Sequence, residues 1–230
     1  CSRLAKTGVE ELLARCRDRV GRTALSLAAE RGCEDSVDAV LRTHPWGAQE
    51  ALRQHDRHNV SALELAAMKG HDGIVGMLLE RGADPHHRDD FGVAALHRAV
   101  GHGRFSAAVR LMSDGGANVN LACGPVSPRL PPEYQAKSRL QTALHIACHR
   151  EEAGERVAGN MQLVRALLRF GADVNARDVD GETALHAACA AQDVPMVRLL
   201  LANAASPRAT NARGQSPLDV LPQGPRDEAA

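Results

Sequence analysis

The apolar positions of the chain fall in short runs at helical spacing, and the runs come in pairs. In VGMLLERGADPH (75–86), Val75, Leu78 and Leu79 share one helix face, and the run then meets Gly82. The same order recurs in VDAVLRTH (37–44), VRLMSDGGANVN (109–120), VRALLRFGADVN (164–175) and VRLLLANAASPR (197–208). Each run ends at Gly, Asn or a polar turn, which is how a helix stops. A shorter phrase precedes each run: TALSLAA, SALELAA, AALHRAV, TALHIAC and TALHAAC, with a final SPLDV. Aligned on Leu25, Leu63, Leu96, Leu144, Leu185 and Leu218, the phrases are 38, 33, 48, 41 and 33 residues apart.

The short phrase is also predicted to be helical. Thr23, Ser61, Thr142, Thr183 and Ser216 open it where a hydroxyl accepts backbone N–H bonds at a helix N-terminus. A turn of the form D-x-x-G comes before it, as in Asp18–Gly21, Asp89–Gly92 and Asp178–Gly181. Asp opens such turns by bonding its own backbone, and Gly supplies a φ that other residues reach poorly. Asn59 and Leu140 take the place of the turn glycine in two repeats. Asn tolerates positive φ and Leu does not do so comfortably, so the turn before Leu140 is expected to differ. Each unit thus reads as turn, helix, short connection, helix and extended return. One helix pair cannot bury its apolar face alone, whereas stacked pairs can, and the expected product is an all-α solenoid.

The segments GETALHAACAAQDVPMVRLLLANAASP (181–207) and FGVAALHRAVGHGRFSAAVRLMSDGGANVN (91–120) resemble ankyrin repeats. The period of 33, the T-x-L-H-x-A phrase and the GADVN return carry the resemblance, which covers roughly residues 5–220. The resemblance implies a stack of helix-turn-helix units with projecting β-turn fingers, forming one domain over 1–222. It divides into a half-repeat at 1–17, whose LAKTGVEELLARC (4–16) reads as a second helix, and repeats at about 18–54, 55–87, 88–120, 121–175 and 176–208. A shortened last repeat (209–222) and a tail (223–230) follow. The chain opens on Cys1 rather than Met, so it reads as a portion of something longer. The family's TPLH proline is alanine in most of these repeats and remains only as Pro217; Pro195 falls where a second helix begins, where a missing N–H costs little.

Three intervals exceed 33, by 5, 15 and 8 residues. The five lie near THPWGAQEAL and the eight around HREEAGERVAGN (149–160). The fifteen divide into one extra glycine at Gly115–Gly116 and fourteen residues in the finger before Thr142. Insertions go where the backbone is already at the surface, so all three are expected in loops. Trp46 is expected to plug a gap beneath the first. The long finger, LACGPVSPRLPPEYQAKSRL, carries the chain's one tyrosine, Tyr134.

Composition narrows the function. Lys plus Arg equals Asp plus Glu, at 28 each, which removes the footprint of a general nucleic-acid or membrane-surface binder. No apolar run approaches the ~18 residues of a spanning helix. The six cysteines lack CxxC spacing and sit singly in apolar helical contexts, which suggests a reducing compartment and an intracellular setting, cytoplasmic or nuclear. No phosphate loop, nucleophile elbow, H-E-x-x-H pair or dinucleotide fingerprint is present, so no catalytic residue, metal ligand or cofactor is assigned. His97, His145 and His186 recur in register and are expected to bridge each helix start to neighbouring backbone. Cys148 and Cys189 share one repeat position and are expected to be small core residues too far apart to bridge. His55, His58, His86 and His87 lie near neighbouring turns; solvated loop histidines are the default reading there, with a metal site as the sharper one.

The ankyrin resemblance implies a non-catalytic, monomeric module that binds another protein along its fingers and concave inner-helix face. The candidate contact residues are Arg57, His58, Lys69, Asp90, Phe91, Arg98, His102, Tyr134, His149, Arg150, Val179, Asp180, Glu182 and Arg213. Their charges are mixed, so a partner of one strong sign is not expected. The alternative is a substrate-targeting domain of a larger enzyme, such as a ubiquitin-ligase adaptor, a kinase or an acyltransferase. Asn175, with Leu167 eight and Asp173 two residues before it, also resembles ankyrin asparagines that are hydroxylated; the competing reading is an asparagine that shapes the return turn.

Overall fold

Short polar caps start the helices, and left-handed residues end many of them. Thr23 and Ser61 have extended backbone, and their hydroxyls accept the N–H of Ser26 and Glu64 at 3.1 and 3.2 Å. Gly32 (φ 78°) and Gly70 (φ 83°) close the same two helices in the left-handed region, which costs a glycine nothing. The computed structural model describes residues 16–44, 46–128, 130, 140–148 and 160–221. Among them the helices are α1 (Ala24–Arg31), α2 (Glu34–Thr43), α3 (Ala48–Leu52), α4 (Ala62–Lys69), α5 (Asp72–Glu80), α6 (Ala95–Gly101), α7 (Phe105–Ser113), α8 (Ala143–Cys148), α9 (Asn160–Arg169), α10 (Ala184–Ala190) and α11 (Val194–Ala202). The one β-bridge among the described residues joins Ala122 to Thr142 at the base of the long finger.

The helices stack in two layers. The inner layer runs α1, α4, α6, α8, α10, each packed on the next; in the outer layer α2 packs on α5, α5 on α7 and α7 on α9. The repeated leucine carries the inner layer: Leu25, Leu63, Leu96, Leu144 and Leu185 are each at most 3% exposed. Burying one such side chain stabilises by about 1.5–3 kcal/mol, so the repeat phrase is a repeated increment of core. Alanines fill the space between layers: Ala29, Ala66, Ala67, Ala99 and Ala188 are wholly buried, which lets neighbouring helices approach closely. The last phrase departs from the others. Residues 217–220 form turns rather than a helix, and Leu218 is exposed.

Two expectations change here. The five-residue excess is not a plain loop; it forms α3, whose Ala51 is 2% exposed and packs into the core. AQEAL is made of good helix formers, a preference that interval length does not register. Ala51 therefore fills the gap assigned to Trp46, and Trp46 is half-exposed, edge-on to His44 at 5.5 Å. Leu140 has φ 50°, the same left-handed sign as Gly21, Asn59, Gly92, Gly181 and Gly214. Leu140 itself therefore bears the strain, pinned by the Ala122–Thr142 bridge and the bond from Cys123 N–H to the Gln141 carbonyl at 2.8 Å, while the turn before it lies outside the described residues.

Candidate interaction surface

Five fingers among the described residues share one chemical construction. One side-chain oxygen of Asp18 accepts from the N–H groups of Val20 and Arg22, and Asp56, Asp89, Asp178 and Asn211 each do the same two and four residues on, at 2.8–3.0 Å. A carboxylate or amide that takes two local N–H groups fixes a turn without a strand partner. Backbone bonds then tie finger to finger: Arg57 N–H to Val20 O (3.3 Å), Asp90 N–H to His58 O (2.9 Å), Gly124 N–H to Gly92 O (2.7 Å) and Ala212 N–H to Asp180 O (2.8 Å). Gly92 needs its missing Cβ twice over, for φ 73° and because a Cβ would collide with the Gly124 carbonyl.

Histidine clips connect the inner helices. The Nδ1 of His97, His145 and His186 accepts the N–H of Ala94, Thr142 and Thr183 at 3.1–3.3 Å. The opposite nitrogen faces a carbonyl of the following unit, Leu121, Glu182 and Gln215, at 2.8–3.1 Å. With Nδ1 accepting, Nε2 is placed to donate, so each ring bridges two units. Burial holds His97 well below its ordinary value, at about 4. The Thr142 and Thr183 hydroxyls also bond their own clip at 2.9 Å. On the return segments, Asn120 gives its amide N–H to Gly171 O (3.0 Å) and accepts from Asp173 N–H (2.7 Å). Asn175 does the same with Ala204 O (3.2 Å) and Ser206 N–H (2.8 Å). Both amide ends of Asn175 are thus engaged between repeats.

The clip is replaced in one repeat. Glu64 stands at the histidine position and is fully buried. Its Oε1 accepts from the Ser61 hydroxyl at 3.0 Å, while Oε2 has no hydrogen-bond partner. Arg98 Nε lies 3.7 Å from Oε2 and His87 Nε2 lies 3.7 Å from Oε1. Burial, and then the neighbouring Asp89, push Glu64 up to about 8, against the pull of Arg98 and Ser61. Arg98 reaches the buried Asp89 with its terminal nitrogen, so its guanidinium is held inside the stack. Arg98 is therefore a corrected candidate: it is an internal ion-pair partner, half-covered, rather than an exposed contact.

The remaining candidates divide by place. Arg57, His58, Val179, Asp180 and Arg213 are exposed on fingers; Asp90, Phe91 and Glu182 are half-buried there. The Phe91 ring leans on His58 at 5.7 Å, and Glu182 supplies the carbonyl that His145 engages. Lys69 ends α4, exposed, 3.9 Å from Glu30, and His102 caps α6 with Nδ1 3.0 Å from Arg98 O. Tyr134, His149 and Arg150, and the half-repeat helix at 4–16, lie outside the described residues. Of the four loop histidines, His55 and His87 stack at 4.1 Å beside a pocket of about 320 Å³ under α3. His86 accepts from Asn118 N–H at 3.1 Å instead. Burial, then the adjacent His87, hold His55 below its ordinary value. Among the described residues, no group of three His, Cys, Asp or Glu is placed to hold a metal ion. Cys148 and Cys189 are free and buried, and burial pushes the Cys148 thiol up to about 12, where it is inert.

Family models place this architecture. A model of ankyrin repeats in many copies matches residues 144–201, and one of ankyrin repeats in three copies matches 3–89 and 63–156. The chain belongs to the ankyrin-repeat family. Ankyrin repeats are protein-interaction modules. The ankyrin repeat and SOCS box protein 16 of Homo sapiens is 31% identical over 88% of this chain and 48% of its own length. The human SH3 and multiple ankyrin repeat domains protein 2 is 27% identical over 87% of this chain and 9% of its own length. The E3 ubiquitin-protein ligase KEG of Arabidopsis thaliana is 27% identical over 88% of this chain and 14% of its own length. The chain thus spans less than half of each of these relatives. A solved chain from the complex of the Bdellovibrio bacteriovorus predatory endopeptidase Bd0816 with immunity protein Bd3460 shares the ankyrin fold. Its TM-score is 0.66 at 24% identity, covering 86% of this chain and 90% of that one. Among the described residues no ankyrin helix is long and apolar enough to cross a membrane.

Proposed function

We propose that this ankyrin stack is the recognition part of a larger intracellular protein, acting as a monomer without catalytic activity of its own. It binds a partner protein across its fingers and inner-helix face. The observation that carries this reading is the row of fingers, in which backbone bonds tie 18–21 to 56–59 and on to 89–92, and 178–181 to 211–214, with Arg57, His58, Val179, Asp180 and Arg213 exposed along it. A row held rigid before binding loses little entropy on association. A partner crossing three or four repeats would bury ~1,200–2,000 Å² in total, the range of specific complexes. The mixed charge of the row favours a protein over a nucleic acid. The repeat division at about 18–54, 55–87, 88–120, 121–175 and 176–208 is the unit plan of this reading.

A second reading is favoured by the relatives. KEG is a ubiquitin ligase that this chain matches over 14% of its length. On that reading the stack targets substrates for a catalytic domain elsewhere in the same protein. Affinity capture with the intact stack tests the surface. It is repeated with Phe91→Ala and with residues 121–140 shortened to a four-residue turn, and loss of a partner in either supports the finger row. Full retention of every partner in both refutes it.

A further inference from the structure

The chain's zero net charge hides a division of its outer layer. Helices α2 and α5 carry five acids (Glu34, Asp35, Asp38, Asp72, Glu80) and one arginine, whereas α7, α9 and α11 carry four arginines and no acid. Of those four, Arg110 has an acid, Asp114, within 3.9 Å. Arg165, Arg169 and Arg198 are exposed and have no ion-pair partner among the described residues. These three guanidiniums line two grooves that flank α9. One, of about 330 Å³, lies between α7 and α9 and is walled by Phe105 and Phe170. The other, of about 670 Å³, lies between α9 and α11 and is walled by Val194. Phe105, Phe170 and Val194 are 40%, 42% and 57% exposed, and two aromatics of a chain that has five are spent on this face without being buried.

We propose that the outer layer of α7, α9 and α11 is a second docking surface, distinct from the finger row, and that it takes an acidic amphipathic helix of a partner protein. The charge of the rim selects the sign: three unpaired arginines around an apolar floor are complementary to carboxylates beside apolar anchors. The spacing selects the form. The grooves flank one helix, so their centres stand about one interaxial distance apart, ~8–10 Å. Residues i and i+7 of a helix are separated by about 10.5 Å along its axis and point the same way. One anchor thus enters each groove while the partner helix crosses α9. A second copy of this chain fits less well, because its acidic outer face, α2 and α5, presents none of the exposed large apolar side chains that the grooves require.

The test uses the full 230-residue chain. Its probe is a fluorescein-labelled peptide of about 18 residues, long enough to cross three helices. The peptide carries Leu at two positions seven apart and Glu at the flanking positions. A twin has every Glu replaced by Lys. Fluorescence anisotropy should show saturable binding of the acidic peptide, weaker at high salt, and none of the basic twin. The triple charge reversal Arg165→Glu, Arg169→Glu, Arg198→Glu should weaken binding about tenfold or more, and Phe105→Ala with Phe170→Ala should do the same at any salt. All five side chains are exposed, and unchanged thermal melts confirm that the variants fold. Binding that is equal for both peptides, or that persists unchanged in the triple reversal, overturns the proposal. So does concentration-dependent dimerisation of the chain that the same reversal abolishes, since the occupant would then be a second copy.

Discussion

Glu64 gives the sharpest energetic prediction. The perturbation is Glu64→Gln, which keeps an acceptor for the Ser61 hydroxyl and removes the ionisable group. Folded Glu64 holds its proton up to about 8, whereas an unfolded glutamate releases it near 4.5. The sign follows: the folded state binds more protons in that window, so the stability from protonated Glu64 is complete below the unfolded value and is lost as pH rises towards the folded one. Between pH 5 and 7 the folded carboxyl stays protonated, and the unfolded one goes from about three-quarters to almost wholly ionised. Nearly two decades at about 1.4 kcal/mol each amount to roughly 2–3 kcal/mol. His97 acts in the opposite sense. Its folded value near 4 lies below the unfolded 6.5, so its contribution is lost as pH falls, by about 2 kcal/mol over the same interval. The two slopes nearly cancel in the wild-type profile, which is why the variant is informative. Urea denaturation of both proteins at pH 5, 6 and 7 removes the histidine contribution by difference. The stability of the variant relative to wild type should rise by about 2–3 kcal/mol from pH 5 to 7, equivalent to roughly 5–10 °C in melting temperature. Parallel profiles would refute the reasoning. A variant that loses relative stability as pH rises would refute it more strongly, because Glu64 would then be an ionised partner of Arg98.

Three further outcomes test the scaffold. Leu140→Gly relieves a left-handed leucine at a strain of ~1–2 kcal/mol while adding chain entropy, and should stabilise by roughly 0.5–1 kcal/mol in thermal denaturation. Gly92→Ala introduces both an unfavourable φ and a Cβ against the Gly124 carbonyl. It should cost more than about 1 kcal/mol and raise hydrogen exchange at Gly124, whose N–H bonds Gly92 O. His186→Ala leaves the Thr183 N–H and the Gln215 carbonyl without their ring partners. It should destabilise on the order of 2 kcal/mol by urea denaturation, with exchange rising first at residues 211–216.

The repeat was legible because its residues recur in register. His97, His145 and His186 each sit three residues after an N-cap position, so their bridging role could be argued from recurrence alone. Glu64 occupies that same position, and its substitution for histidine was the available clue. Its neighbours, the buried Asp89 and the half-covered Arg98, come from the next repeat, a proximity that no local pattern states. The same limit explains Arg98, which looks like a surface residue of an inner helix until the stack brings Asp89 beside it. Leu140 misled in the other direction. Local preference argues against a left-handed leucine, yet Leu140 takes φ 50° two residues before the Ala122–Thr142 bridge. At Trp46 the insertion length alone predicts a loop, whereas the composition of AQEAL favours the helix it forms. The basic outer face escaped notice because its arginines are spread over residues 110–198 and balanced in the total by acids on α2 and α5.

Hydrogen–deuterium exchange of the stack, alone and bound to a captured partner protein, tests the central reading most directly. Protection is expected on the fingers, at 56–60, 89–93, 178–182 and 211–215, and on the inner helices α4 and α6. Partner binding that leaves every finger unprotected would contradict it.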